Sequence, residues 1–282
     1  MTDPSHTGND LLASLKATDP VRYAAVLYMP EEKRLAVASL WLFQTQIERI
    51  RDLVSEPLPG EIRLQWWRDV LDGVRDGEAR QNPLAAALIE TVDTNGLSRD
   101  RIGAYLETMV FDLYDDPMPD IGQFEGHMGE THSVFFQMVC QILLGEPLQN
   151  GDAAGHAGVA YGVSQCLLSL AKHRSRGQIY LPAELFANNS VSIEEWRAFE
   201  ISANKCEAVK EFAAYGYDHL SKAKAALVTL PKACHPALLP LAVSAKVFRD
   251  AQKDPATFLA SPVAYGALQV HWSILVAALR GL

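Results

Sequence analysis

Apolar residues recur three and four positions apart along nearly the whole chain, the spacing that lines one face of a helix. The pattern is clearest over residues 31–55, where Leu40, Phe43, Ile47, Ile50 and Val54 form one stripe. Pro30 suits a helix start, and Glu31 and Glu32 follow it where acids favour the helix dipole. Residues 61–76 predict a second helix through Leu64, Trp67, Leu71 and Val74, and residues 83–94 a third. Further helices are predicted over 98–115, 127–145, 153–172, 193–229, 236–250 and 262–280. No strand-like alternation, internal repeat or low-complexity segment stands out. The breaks are short and marked by Pro and Gly, as in Glu56-Pro57-Leu58-Pro59-Gly60, and none has the length or polarity of an interdomain linker. The expectation is an all-α protein: a flexible N-terminus over 1–18 and a single domain over 19–282.

Composition narrows the function. With 282 residues, 49% of them hydrophobic, the chain can bury a large core. Its net charge of −9 gains nothing from counterion release, which excludes a general nucleic-acid binder. Cys140, Cys166, Cys206 and Cys234 show no metal-ligand spacing, so neither a zinc site nor a disulfide framework is expected. Residues 1–20 lack the apolar core of a signal peptide and the arginines of a transit sequence. No apolar run reaches the roughly 18 residues of a membrane span, and the expectation is a cytoplasmic protein. Residues 264–282, with Leu268, Val270, Trp272, Ile274, Leu275 and Leu279 but a single cation, Arg280, read as a packed core helix first. Peripheral membrane contact is the second reading.

Four segments then carry a resemblance. Arg22-Tyr23 is followed by Pro30, Arg34 and Leu40-Trp41-Leu42-Phe43; next comes Leu64-Gln65-Trp66-Trp67-Arg68; Phe111-Asp112-Leu113 lies mid-chain; and Arg176-Gly177-Gln178-Ile179-Tyr180-Leu181-Pro182 closes the series. In order and spacing they resemble the squalene/phytoene synthase family. The resemblance implies an isoprenoid-synthase-type helical bundle around a central apolar cavity. It also implies two aspartate-rich helices whose Mg²⁺ ions grip prenyl diphosphates during isoprenoid biosynthesis. By position it implies substrate-binding roles for Arg22, Tyr23, Arg34, Asp112, Gln165, His173, Arg176 and Tyr180.

The metal motifs are where the chain departs. The first, Asp-Asp-x-x-Asp in the family, reads Glu48-Arg49-Ile50-Arg51-Asp52, leaving Glu48 and Asp52 as vestigial metal ligands. The expected arrangement pairs Glu48 with Arg51 and Asp52 with Arg49 on a solvated face. In the second motif Ser169 and His173 stand where aspartates belong, beside Lys172, Arg174 and Arg176. That basic cluster has three readings: a metal-free phosphate site, a closure of the cavity mouth on Glu48 and Asp52, or a solvated turn. Asp112, Asp115 and Asp116 could form a substitute metal site or cap a turn. His127, His132 and His156 read as isolated structural histidines.

These departures resemble an aspartate-depleted branch of the family that includes a mitochondrial assembly factor of respiratory complex I. The leading expectation is therefore a catalytically impaired, degenerate-motif pseudoenzyme. It would bind an isoprenoid or lipid, or act with a protein partner in respiratory complex assembly, with no cofactor assigned. The alternative is an active, Mg²⁺-dependent prenyl transferase that condenses two farnesyl or geranylgeranyl diphosphates.

Overall fold

The structure, a computed structural model, describes residues 4–114 and 116–282. Its first helix, α1 (Pro4–Thr18), corrects the expectation of a flexible N-terminus. Leu11 and Leu15 stand four apart, so they share one face, and both are buried against the helix over 31–48. Asp19 starts α2 (Pro20–Val26): its carboxylate accepts from the Arg22 backbone N–H at 2.9 Å, and Pro20 occupies the first turn.

The predicted stripe runs along α3 (Glu31–Glu48), with Leu40, Phe43 and Ile47 buried. The helix does not continue to residue 55. It stops at Glu48, Arg49 forms a joint, and α4 (Ile50–Leu53) resumes. Pro57 to Gly60, expected as a connection, is the first turn of α5 (Pro57–Leu71). Gly60 sits there because a Cβ would lie 2.6 Å from a Leu113 methyl. Asn82 and Ser98 cap α6 (Pro83–Thr94) and α7 (Arg99–Thr108) through backbone N–H groups. Helix α7 ends seven residues sooner than expected, and a 3₁₀ turn over Phe111–Leu113 follows.

The predicted helix 127–145 is three pieces. An α-helix over Ile121–Met128 passes into a π-helical turn over Gly129–Ser133, and α8 (Val134–Leu144) follows, ended by Gly145 at φ 80°. Helix α9 (Asp152–Leu168) breaks at Ser169 before α10 (Leu170–Ser175). The long α11 (Ala203–Ala226), α12 (Leu241–Lys253) and α13 (Ala267–Arg280) complete the principal set. No strand occurs among the described residues, and no helix there is long and apolar enough to cross a membrane.

Helix α9 is the central post, buried over most of its length and packed chiefly on α11, then on the π-helical turn and α12. Small residues permit this. A Cβ at Gly158 would overlap the Ser133 backbone, and one at Gly162 would overlap the Met128 sulfur. On the other side of the bundle Phe43 meets Trp67 edge-on at 4.9 Å, and Tyr105 meets Phe135 at 4.7 Å. The four cysteines are unbridged.

Candidate functional site

Helices α3 and α9 both break at one place. Arg49, at the first joint, and Ser169, at the second, line a common cavity of about 210 Å³. The short helices beyond the joints, α4 and α10, face each other across its mouth. Asp52 receives Lys172 Nζ on one carboxylate oxygen and Arg176 Nη1 on the other, each at 2.5 Å. Burial raises the Asp52 carboxyl, but the two cations outweigh it and hold the group below the usual aspartate range. Asp52 and Lys172 are 120 positions apart in the chain.

Deeper in, Glu48 presents both oxygens to the guanidinium of Arg22, at 3.4 Å each. Arg22 is fully buried. It also donates to the Thr45 hydroxyl at 3.3 Å, lies 3.4 Å from Asp19, and stacks over the Tyr161 ring at 4.8 Å. Burial opposes its charge, yet Tyr161, Glu48 and Asp19 prevail and raise its pKa.

Two histidines complete this wall. Gln44 Nε2 donates to the Thr131 carbonyl at 2.9 Å and stands 3.0 Å from His132 Nδ1. With the amide oriented by Thr131, His132 Nδ1 accepts and its proton sits on Nε2. Burial, with Arg22 and His127 adding to it, pushes the His132 pKa well down, so the ring is neutral. His127 Nε2 lies 3.3 Å from Asp112. On the opposite wall burial lowers His173 to a pKa of about 4, and its ring tilts against Tyr180 at 4.6 Å.

Of the residues expected at the site, Glu48, Asp52, Asp112, Gln165, His173 and Tyr180 line the cavity, Arg22 reaches it through Glu48, and Arg176 through Asp52. Two are placed elsewhere. Arg34 donates from Nε to the Met29 carbonyl at 2.9 Å and from Nη2 to the Leu27 carbonyl at 3.1 Å, so its charge is spent on the turn after α2. The Tyr23 ring packs on the core beneath Lys16 Nζ, 5.7 Å away. The expected pairs Glu48–Arg51 and Asp52–Arg49 are also corrected: Arg22 from α2 is the partner of Glu48, and Lys172 and Arg176, from α10 and its C-terminal end, are the partners of Asp52, while Arg51 Nη1 donates to the Val54 carbonyl.

The basic cluster divides. Lys172 and Arg176 both pair with Asp52 across the mouth, whereas the closure reading had the cluster on Glu48 as well, which Arg22 takes instead. Arg174 turns away, donating to the carbonyls of Trp196, Leu259 and Ala198. The Asp112 cluster divides too: Asp112 enters the cavity, Asp116 is exposed, and Asp115 lies outside the described residues.

His127 and His132 look isolated in sequence because five residues do not fit an α-helical face. The π turn over Gly129–Ser133, with its wider i to i+5 hydrogen bonding, lies between them and changes the register, and both line the cavity. His156 does stand apart from the cavity, its Nδ1 3.1 Å from that of His219. The cavity walls combine this polar set with Met109, Met128 and Cys166. The lining of this mouth-side cavity is therefore largely polar.

An all-helical bundle with its cavity between two broken helices defines an isoprenoid-synthase-type fold. Residues 15–274 match the family described as squalene/phytoene synthase, and the chain belongs to that family. The solved structure of a dehydrosqualene synthase in complex with ligand superposes with a TM-score of 0.77 at 16% identity, covering 99% of this chain and 98% of that one, a likeness of fold. The relatives similar in sequence include the Bos taurus protein named NADH dehydrogenase (ubiquinone) complex I, assembly factor 6. It is 26% identical over 235 residues, 83% of this chain and 71% of that one. The Homo sapiens protein of that name is 26% identical over 238 residues, 84% and 72% of the two chains.

Proposed function

We propose that this protein is a non-catalytic member of its family that acts, like the relatives named above, in assembling the respiratory NADH dehydrogenase complex. The observation that carries this reading is the state of the two acids left from the metal motif. Asp52 is neutralised by Lys172 and Arg176, and Glu48 by Arg22. Mg²⁺ takes carboxylate and phosphate oxygens with free lone pairs and requires near-octahedral geometry. These two acids offer their oxygens to fixed cations, and Ser169 and His173 face them where a second pair of acids would be required. Among the described residues no group of three acids, histidines or cysteines is placed to hold a metal. The donor set does not fit a catalytic Mg²⁺ centre, and we derive no condensation step through one.

An isoprenoid or lipid belongs to this reading only as a ligand that opens the mouth. The chamber's 210 Å³ is below the roughly 300–1,000 Å³ of small-molecule pockets.

The test has two arms. Purified protein given Mg²⁺ with farnesyl or geranylgeranyl diphosphate is expected to release no pyrophosphate. Deleting the gene is expected to lower the amount of assembled NADH dehydrogenase complex on native gels, and both the wild-type gene and an Asp52→Ala variant are expected to restore it. Pyrophosphate release that Asp52→Ala abolishes would make the protein a prenyl transferase and refute the reading. So would a deletion strain with normal complex.

A further inference from the structure

Helix α13 is apolar on two opposite sides. Val270, Ile274 and Ala277 are buried against the bundle. At 100° per residue, Leu268, Trp272, Leu275 and Leu279 fall on the face pointing directly away from them. Three of those four stand in solvent, with Leu268 87% exposed, Trp272 67% and Leu279 77%. A helix apolar on both sides is normally covered on both, and among the described residues nothing covers Leu268, Trp272 and Leu279.

The surroundings say what kind of surface would cover it. The whole chain is acidic, yet residues 219–282 hold seven Lys and Arg and only two Asp and Glu. Both acids are engaged: Asp250 accepts from Lys246 at 2.9 Å and from the Tyr265 hydroxyl at 2.8 Å, and Asp254 caps the next helix through Thr257. Cations flank the stripe at both ends. Exposed Arg249 lies near its start, as does half-buried Lys246, which is paired with Asp250 and whose Nζ sits 4.8 Å over the Tyr265 ring. Arg280 lies at its end, where Lys232 and Tyr28 line a groove of about 420 Å³ beside Ala277 and Ala278.

From this we propose that α13 docks flat on an anionic lipid surface, with Leu268, Trp272, Leu275 and Leu279 in the acyl boundary and Lys232, Arg249 and Arg280 at the headgroups. The shape favours lipid. The side chains stand out as a ridge, and a fluid apolar phase accepts a ridge without a matching groove. Self-association across this face would bring basic ends together, and the acid beside them, Asp250, is already engaged by Lys246 and Tyr265. The inference is independent of the assembly reading, since the ridge lies apart from the cavity.

The experiment is sedimentation of the full chain with vesicles. Binding is expected to vesicles of equal phosphatidylcholine and phosphatidylglycerol, not to phosphatidylcholine alone, and is expected to weaken as salt rises. Trp272→Ser is expected to lower affinity at least about tenfold, given the transfer free energy of one large apolar side chain. Each of Lys232→Glu and Arg280→Glu should lower it about fivefold or more. These residues are exposed, so circular dichroism and the melting temperature should not change. Trp272→Phe should keep binding but lose fluorescence quenching by brominated lipid. No binding to anionic vesicles would overturn the proposal. So would binding indifferent to Trp272→Ser, quenching that persists in Trp272→Phe, or a concentration-dependent dimer abolished by Trp272→Ser, which would give the face to a second copy.

Discussion

Asp52 on α4 and Lys172 on α10 meet at 2.5 Å across the mouth of the cavity, and Arg176 takes the second oxygen of the same carboxylate. One acid thus holds two cations where family members are expected to hold metal. All three side chains keep about a third of their surface in solvent, so screening limits what the cluster adds to stability. Asp52→Asn is expected to cost about 1 kcal/mol or less in denaturant unfolding. Its larger effect is to release Lys172 and Arg176, and inorganic pyrophosphate is expected to bind the variant more tightly than wild type in calorimetry without Mg²⁺. Equal affinity would mean that the two cations do not point into an accessible mouth.

The Arg22–Glu48 pair behaves differently because Arg22 is buried. Glu48→Ala leaves its guanidinium with Asp19 at 3.4 Å and the Tyr161 ring as remaining compensation. A loss of about 3 kcal/mol in unfolding free energy is expected, with Glu48→Gln losing less because its amide oxygen still accepts. Replacing the pair together, Arg22→Met with Glu48→Leu, should recover much of that loss. An additive double variant would count against coupling between the two.

Stability should fall in mild acid. Burial depresses His132, His173 and His219 below the ordinary histidine value. Each is neutral in the fold and gains a proton more readily when unfolded. The unfolded chain therefore binds more protons below about pH 6.5, and stability rises with pH through that range. The contribution is fully present above pH 6.5 and is lost as the pH drops towards about 4, the value reached by His173. For His173 alone it is on the order of 3 kcal/mol. Melting temperature measured from pH 7 to pH 4.5 should drop, and His173→Gln should flatten the curve. A flat wild-type curve would refute the assignment.

Gly158→Ala tests the close packing behind the site. Its Cβ would meet the backbone of Ser133, which cannot rotate away, whereas a Cβ at Gly162 meets the flexible Met128 side chain as well as the His132 ring. Overpacking of this kind costs about 1–3 kcal/mol, with Gly158→Ala at the upper end. The Gly162→Ala variant should be milder in chemical denaturation but should alter the titration of His132, read by NMR. Equal costs would place the limit in α9 itself.

Much of the helical pattern was legible in sequence. Residues 83–94 were bounded correctly, and the stripe Leu40, Phe43, Ile47 was read onto the core face. Boundaries failed where a tertiary contact set them. Gly60 looks like a loop residue until Leu113 is seen lying against it. Likewise 98–115 reads as one helix, but the chain turns at Thr108 and a 3₁₀ turn delivers Asp112 to the cavity. Leu11 and Leu15 are too sparse a signal to mark a helix on their own, and α1 is held by packing on α3.

The sequence by itself determined the all-helical class, the family, and which residue types stand at Glu48, Asp52, Ser169 and His173. Those are local matters of periodicity, motif order and side-chain identity. Only the tertiary structure decided what those residues do. The partners of Glu48 and Asp52 come from positions 26 to 124 residues away, a distance over which helical spacing carries no information. The π turn brings His127 and His132 together, and the packing of α13 decides which of its two apolar faces is buried. A charge in a sequence has no partner until the chain folds, and here folding gives Glu48 to Arg22 and Asp52 to Lys172 and Arg176.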